Sequence, residues 1–171
     1  MGGPKLWIAG VVLGIGVLAI AAYGIAFGLN RQHQPPEQPI RFPHQWHIQS
    51  AGVECLFCHR TAATGVSGGL PAVEQCMFCH RVAGRQSPEI QKLTTVSDNM
   101  QPIDWVHVYR VPDHVRFTHQ PHYQAGVDCS SCHGDVKNST LLVQVQRMKM
   151  GFCVTCHRQQ NARTDCWSCH Y

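Results

Sequence analysis

A mostly α-helical and irregular fold, with short helices, long coil and little sheet, is what this 171-residue sequence predicts, carried on one N-terminal transmembrane helix. Three observations predict it. All ten cysteines lie in five Cys-x-x-Cys-His elements, an uncharged apolar run extends from Leu6 to Leu29, and a segment of about a dozen residues occurs twice ahead of such an element.

The five elements pair Cys55 and Cys58 with His59, Cys76 and Cys79 with His80, Cys129 and Cys132 with His133, Cys153 and Cys156 with His157, and Cys166 and Cys169 with His170. This is the attachment pattern of c-type haem: two thiols add across the haem vinyl groups, and the adjacent histidine binds the iron from one face. Disulfides, zinc or an iron–sulfur cluster use paired cysteines too, but none of them requires a histidine after every second cysteine. Five covalently attached haem c groups are therefore expected. Macrocycles of that size must supply most of the buried apolar material of a small domain, so short helices and coil follow, and without haem the domain should not fold.

Leu6–Leu29 is long enough to span a hydrocarbon core of about 30 Å, whereas a signal-peptide core runs to about 7–15 residues. A cleavable signal ending near Ala19-Ile20-Ala21 is the alternative, but the apolar run continues well past it. Residues 1–29 are thus read as a retained anchor. Lys5 and Arg31 flank it so evenly that charge assigns no orientation. Haem c is attached outside the cytoplasm, which places the haem domain on the periplasmic side of a bacterial inner (cytoplasmic) membrane, with one pass. Gly10 and Gly14, and again Gly24 and Gly28, have the small-x-x-x-small spacing that lets another membrane helix approach closely.

The formal charge of +4 does not imply nucleic acid. Two propionates on each haem would make the holoprotein net negative, and arginine forks suit those carboxylates. Residues 30–41 are polar and proline-rich, a stiff linker. The pentahaem domain is read over 42–171, as two related units, 42–84 and 117–171, joined by 85–116. Phe42-Pro-His44-Gln-Trp-His47 and Phe117-Thr-His119-Gln-Pro-His122 each lead through Ala-Gly-Val and an acid into Cys55 and Cys129, the first copy carrying one extra residue. In the joining segment, Ser87-Pro88-Glu89 predicts an N-capped helix over about 88–96, and Ile103–Val111 reads as extended. A helix over Leu141–Met150 is suggested by the lack of proline and glycine there, against the β-branched Val143 and Val145.

Seven histidines stand outside the attachment elements. His44, His47, His119 and His122 are expected as distal iron ligands, since histidines three apart project from one side of a helical turn and each can reach a different iron. For the fifth distal position Met150 is favoured, with Met148 and His107 behind it. Met150 sits too close to Cys153 to cap that element's own haem and would serve a neighbour. His33 reads as a membrane-surface residue, and His114 as a residue that touches a ligand or a propionate without binding iron itself.

Together, the five elements behind one helix, the paired Phe-x-His-x-x-His units, Trp105–Asp113 leading into Phe117, and Met150-Gly-Phe-Cys153 resemble the pentahaem cytochrome c subunits (ActA) of alternative complex III. Phe-x-His-x-x-His ahead of an attachment element is shared more widely, with class III c3/c7-like cytochromes and quinone reductase cytochromes. The resemblance implies an electron-transfer subunit without substrate chemistry of its own. It would relay electrons from menaquinol oxidation to a periplasmic acceptor, a copper protein or cytochrome c, alongside other membrane and iron–sulfur subunits. The ligands it carries over are the five element histidines, His44, His47, His119, His122 and Met150. His107 and His114 depart from the pattern expected of relatives, which leaves the fifth distal ligand open. Two other readings compete: a NapC/NirT-type membrane-anchored quinol dehydrogenase, and a haem enzyme reducing a small molecule at an open iron.

Overall fold

The computed structural model describes residues 4–31 and 34–171, with side chains for 7–28 and 34–171; His33 lies outside them. The chain forms two units, residues 1–34 and 35–171.

The first unit is helix α1, Pro4–Arg31. Its segment Trp7–Gly28 has a mean hydropathy of 2.4 and none of it is buried, so it is long and apolar enough to cross a membrane. A Cβ placed on Gly10, Gly14, Gly24 or Gly28 would meet nothing within 4 Å.

The second unit is built from α2 (Cys55–Cys58), α3 (Val73–His80), α4 (Pro88–Asp98), α5 (His119–Gln124), α6 (Ser130–His133), α7 (Met150–Gln159) and α8 (Cys166–Cys169). Coil, two 3₁₀ turns and one π turn connect them. No strand occurs among the described residues, only an isolated antiparallel bridge between Val115 and His170.

The helix expected over about 88–96 is α4, running two residues further to Asp98. Pro88 occupies its first turn, where a missing N–H costs nothing. Ser87 holds the N-cap position without a side-chain capping bond. Glu89 in that first turn instead accepts from the Arg41 backbone N–H at 2.7 Å and from the Lys92 ammonium at 2.9 Å. These donors hold its carboxyl below the usual carboxylate range, the lysine bond first. The expected linker is accordingly not all spacer. Ile40 is buried, and Gln38 bonds both the carbonyl and the N–H of Val106, at 2.8 and 2.9 Å.

Leu141–Met150 is not helical; α7 begins only at Met150. Two contacts explain the difference. The Val145 N–H donates to the Tyr109 hydroxyl at 2.9 Å, and its side chain covers Gly134 so closely that a Cβ there would sit 3.0 Å from Val145 Cγ2. A β-branched residue with weak helix preference is held by tertiary contacts in coil.

Among the described residues only Ile40, Val73, Met77 and Leu93 form a buried apolar core, with Ile90, Val96, Ile103 and Trp105 packed around it. Full burial of such a side chain contributes about 1.5–3 kcal/mol. Ordering each backbone residue costs about 1–2 kcal/mol. Four core residues cannot offset that cost over so long a coil. The rest of the stabilisation must come from groups bound by the cysteines. Chain produced in a host lacking haem c maturation is expected to show little helical circular dichroism and rapid proteolysis of residues 42–171, whereas the holoprotein resists both.

Candidate haem sites

Each attachment element closes one helical turn, and the turn does the positioning. In α2, α6 and α8 the histidine N–H returns to the carbonyl of the first cysteine (His59 to Cys55, His133 to Cys129, His170 to Cys166), each at 2.9 Å. Cysteines three apart then share a face, and the histidine follows beside them. In α3 and α7 the element is embedded in a longer helix. All ten cysteines are unpaired thiols, none fully buried.

The histidines meet in pairs. Two imidazoles bound through Nε2 on opposite sides of one metal, with bonds of about 2.0 Å, hold their ring centroids about 6 Å apart. His44 faces His59 at 6.5 Å with ring planes 10° apart, and His119 faces His133 at 6.4 Å and 10°. His47 faces His80 at 6.0 Å and 70°, and His122 faces His157 at 5.9 Å and 46°. His114 stacks on His170 at 5.7 Å and 12°. Met150 opens α7 with 68% of its surface exposed, and the ring facing the last element's histidine is that of His114.

The ring nitrogens are oriented for metal binding. A carbonyl can only accept, so each imidazole bonded to one through Nδ1 carries its proton there and leaves the Nε2 lone pair free. His59 donates in this way to Gly69 at 2.7 Å, His80 to Ala83 at 3.0 Å, His157 to Arg163 at 2.6 Å and His170 to His114 at 3.2 Å. His47 donates to Pro43 at 3.1 Å, His122 to Thr118 at 2.8 Å and His119 to Val66 at 2.8 Å. Burial pushes the His44 pKa down to about 4, and lowers that of His133, so both rings stay neutral at neutral pH, the form that binds metal.

The internal repeat is visible atom by atom. Phe42 packs edge-on against His44 at 4.8 Å and face-on against His47 at 4.2 Å; Phe117 meets His119 at 4.8 Å and His122 at 4.9 Å in nearly the same way. The Val53 N–H returns to His47, and the Val127 N–H to His122. The extra residue of the first copy is absorbed by widening one turn, the π turn Trp46–Ser50, closed by Ala51 N–H on the Trp46 carbonyl. Gly52 and Gly126 then reverse the chain at φ +65° and +73°.

Contacts between sites set their order in space. Burial and then the neighbouring Cys58 push the Cys76 thiol up, and burial and then Cys55 do so for Cys129. Cys132 is raised by burial and by Cys156 and Cys153; Cys153 is raised by burial and, among its neighbours, by Cys169. The elements therefore neighbour one another in the order second, first, third, fourth, fifth. The loop after the first element makes the central join: the Gly69 carbonyl accepts from His59 Nδ1–H, the Val66 carbonyl accepts from His119 Nδ1–H, and a Cβ on Gly68 would lie 3.8 Å from His119 Nε2.

Tyr109 was not singled out in the sequence. Its hydroxyl donates to the Cys132 carbonyl at 3.0 Å and its ring meets His133 edge-on at 4.7 Å. One aromatic residue in a coil offers no periodic or spacing signal.

These features define a helical domain with the fold of c7-like multihaem cytochromes, whose haem is c-type and covalently bound. Residues 115–171 match the family model described as cytochrome c7 and related cytochrome c. The menaquinone reductase multiheme cytochrome c subunit of Nitratidesulfovibrio vulgaris (strain Hildenborough) is 28% identical over 183 aligned positions, covering 91% of this chain and 87% of that protein.

Two expectations follow. Parallel axial imidazoles split the iron d orbitals into a rhombic pattern, and near-perpendicular ones leave them nearly degenerate. Oxidised holoprotein should give rhombic low-spin resonances from the His44–His59 and His119–His133 sites, with a strongly anisotropic, very low-field resonance from His47–His80, by electron paramagnetic resonance. Separately, Gly69 sits at φ +71° with Thr61 Oγ1 where a Cβ would be. Gly69→Ala should cost about 1–3 kcal/mol in denaturant unfolding of the holoprotein by straining the carbonyl that orients His59.

Proposed function

We propose that this chain is an electron-transfer subunit of a membrane quinol:acceptor oxidoreductase of the alternative complex III type. In this reading α1 anchors it in the bacterial cytoplasmic membrane, and the domain faces the periplasm. One observation carries the reading: each Phe-x-His-x-x-His turn hands its two histidines to two different attachment elements, so adjacent sites share one rigid ligand-bearing turn. Such an arrangement suits passing electrons between centres and leaves no room for substrate at those irons.

The residues divide the work simply. The ten cysteines would hold the macrocycles as thioethers, and His59, His80, His133, His157 and His170 would each supply iron with the imidazole of its attachment element. His44, His47, His119 and His122, which face those of the first, second, third and fourth sites, would supply the second imidazole at each. When bound, each of the five haems supplies a one-electron centre whose potential is tuned by these ligands and their hydrogen bonds. The order of the elements gives the relay two ends, at Cys76–His80 and Cys166–His170. Near them Phe78 and Val82, and Trp167 and Tyr171, are exposed apolar side chains available to partners. Expected partners are polytopic and iron–sulfur subunits and a periplasmic copper protein or cytochrome c. The uncovered glycines of α1 fit a neighbouring membrane helix.

The name of the Nitratidesulfovibrio relative favours a second reading, in which the same relay delivers electrons from a periplasmic donor to menaquinone. Purification from native membranes in mild detergent distinguishes these. The chain should carry the added mass of five haems and co-purify with membrane and iron–sulfur subunits. Its haems should be reduced by a menaquinol analogue only within that assembly; reduction of the isolated chain would instead support a quinol dehydrogenase of NapC/NirT type. Net quinone reduction by a reduced periplasmic donor would establish the second reading.

A further inference from the structure

We infer that His114 is the second axial ligand of the fifth haem site, opposite His170, so that histidine alone fills all ten iron positions. The inference rests on the five-haem reading and assigns the position that Met150, Met148 and His107 contend for.

The local backbone brings the two rings together. Residues 114–116 run antiparallel to 169–171: Val115 bridges His170, the Arg116 N–H donates to the Cys169 carbonyl at 2.7 Å, and the Arg116 guanidinium lies 4.6 Å over the Tyr171 ring. The His170 Nδ1–H donates to the carbonyl of His114 itself at 3.2 Å, which turns Nε2 of His170 away from the backbone. The His114 imidazole then stacks on that of His170 at 5.7 Å with planes 12° apart. The other four pairs span 5.9 to 6.5 Å, and two of them are as nearly parallel. His114 thus repeats, without the Phe-x-His-x-x-His turn, the geometry that turn creates twice.

The ring that faces His170 is that of His114, and each of the other four element histidines already faces a different imidazole, which leaves no element histidine for Met150, Met148 or His107 to oppose. A sulfur ligand would raise the potential of one haem above the rest; a fifth imidazole keeps the terminal site chemically like its neighbours. It also closes the one iron where small-molecule chemistry remained conceivable.

The test uses full-length holoprotein. Near-infrared magnetic circular dichroism of the oxidised wild type should show bis-imidazole iron only, with no methionine–iron charge-transfer band, and Met150→Leu should leave the spectrum unchanged. His114→Ala should convert one fifth of the haem from low to high spin, and His114→Met should restore low spin while creating the methionine band. A methionine band in wild type that disappears in Met150→Leu, or full low-spin character in His114→Ala, overturns the assignment. The wild-type spectrum decides the question even where a variant fails to mature. A haem count below five would instead undercut the relay reading, so the two failures are distinguishable.

Discussion

Five pairs of imidazole rings stand 5.7–6.5 Å apart, a separation that suits two rings bound to one metal, and the rest of the domain's structure depends on it. Attachment elements place one ring of each pair by a single helical turn. The opposite ring comes from a turn far away in sequence, as with His119 and His133 or His114 and His170. Backbone carbonyls then fix seven of the ten rings through Nδ1, so that no side-chain network is needed to aim Nε2. The constraint is strict enough to override regular helix geometry. An inserted residue after His47 is accommodated by a π turn, and the return of Val53 to His47 is preserved.

Folding and cofactor attachment are coupled by the scarcity of core. The small cluster of Ile40, Val73, Met77 and Leu93 ties α3 and α4 to the start of the domain, and it lies beside Cys76. Elsewhere the chain is a set of loops whose tertiary bonds run between histidines, carbonyls and a few polar side chains such as Gln38 and Tyr109. In such a protein the cofactors are structural members as well as redox centres. Small changes in a loop carbonyl then act on stability and on iron electronics together.

The spatial succession of sites differs from their succession in the chain. The second element lies at one end because the His44–His47 turn bridges it to the first, and the loop at Val66–Gly69 joins the first to the third. The chain therefore doubles back once at its beginning and afterwards proceeds in order. In the proposed relay this puts the joining segment, including α4, beside the second site, and the C-terminal residues Trp167 and Tyr171 beside the fifth.

Local chemistry was legible from residues alone. A Cys-x-x-Cys-His element is a contiguous helical turn, an apolar run the length of Trp7–Gly28 needs no partner to declare itself, and a repeat announces two copies of one unit. The helix opened by Pro88 belongs with these, since its start signal is local. What tertiary structure decided were the pairings of imidazole rings and everything imposed by distant contacts. Val145, held by Tyr109, keeps residues before Met150 out of a helix. His114 reaches His170 through a pairing of segments more than fifty residues apart. Proximity along the chain determines geometry only over a turn or two; beyond that, which ring faces which depends on how the loops close.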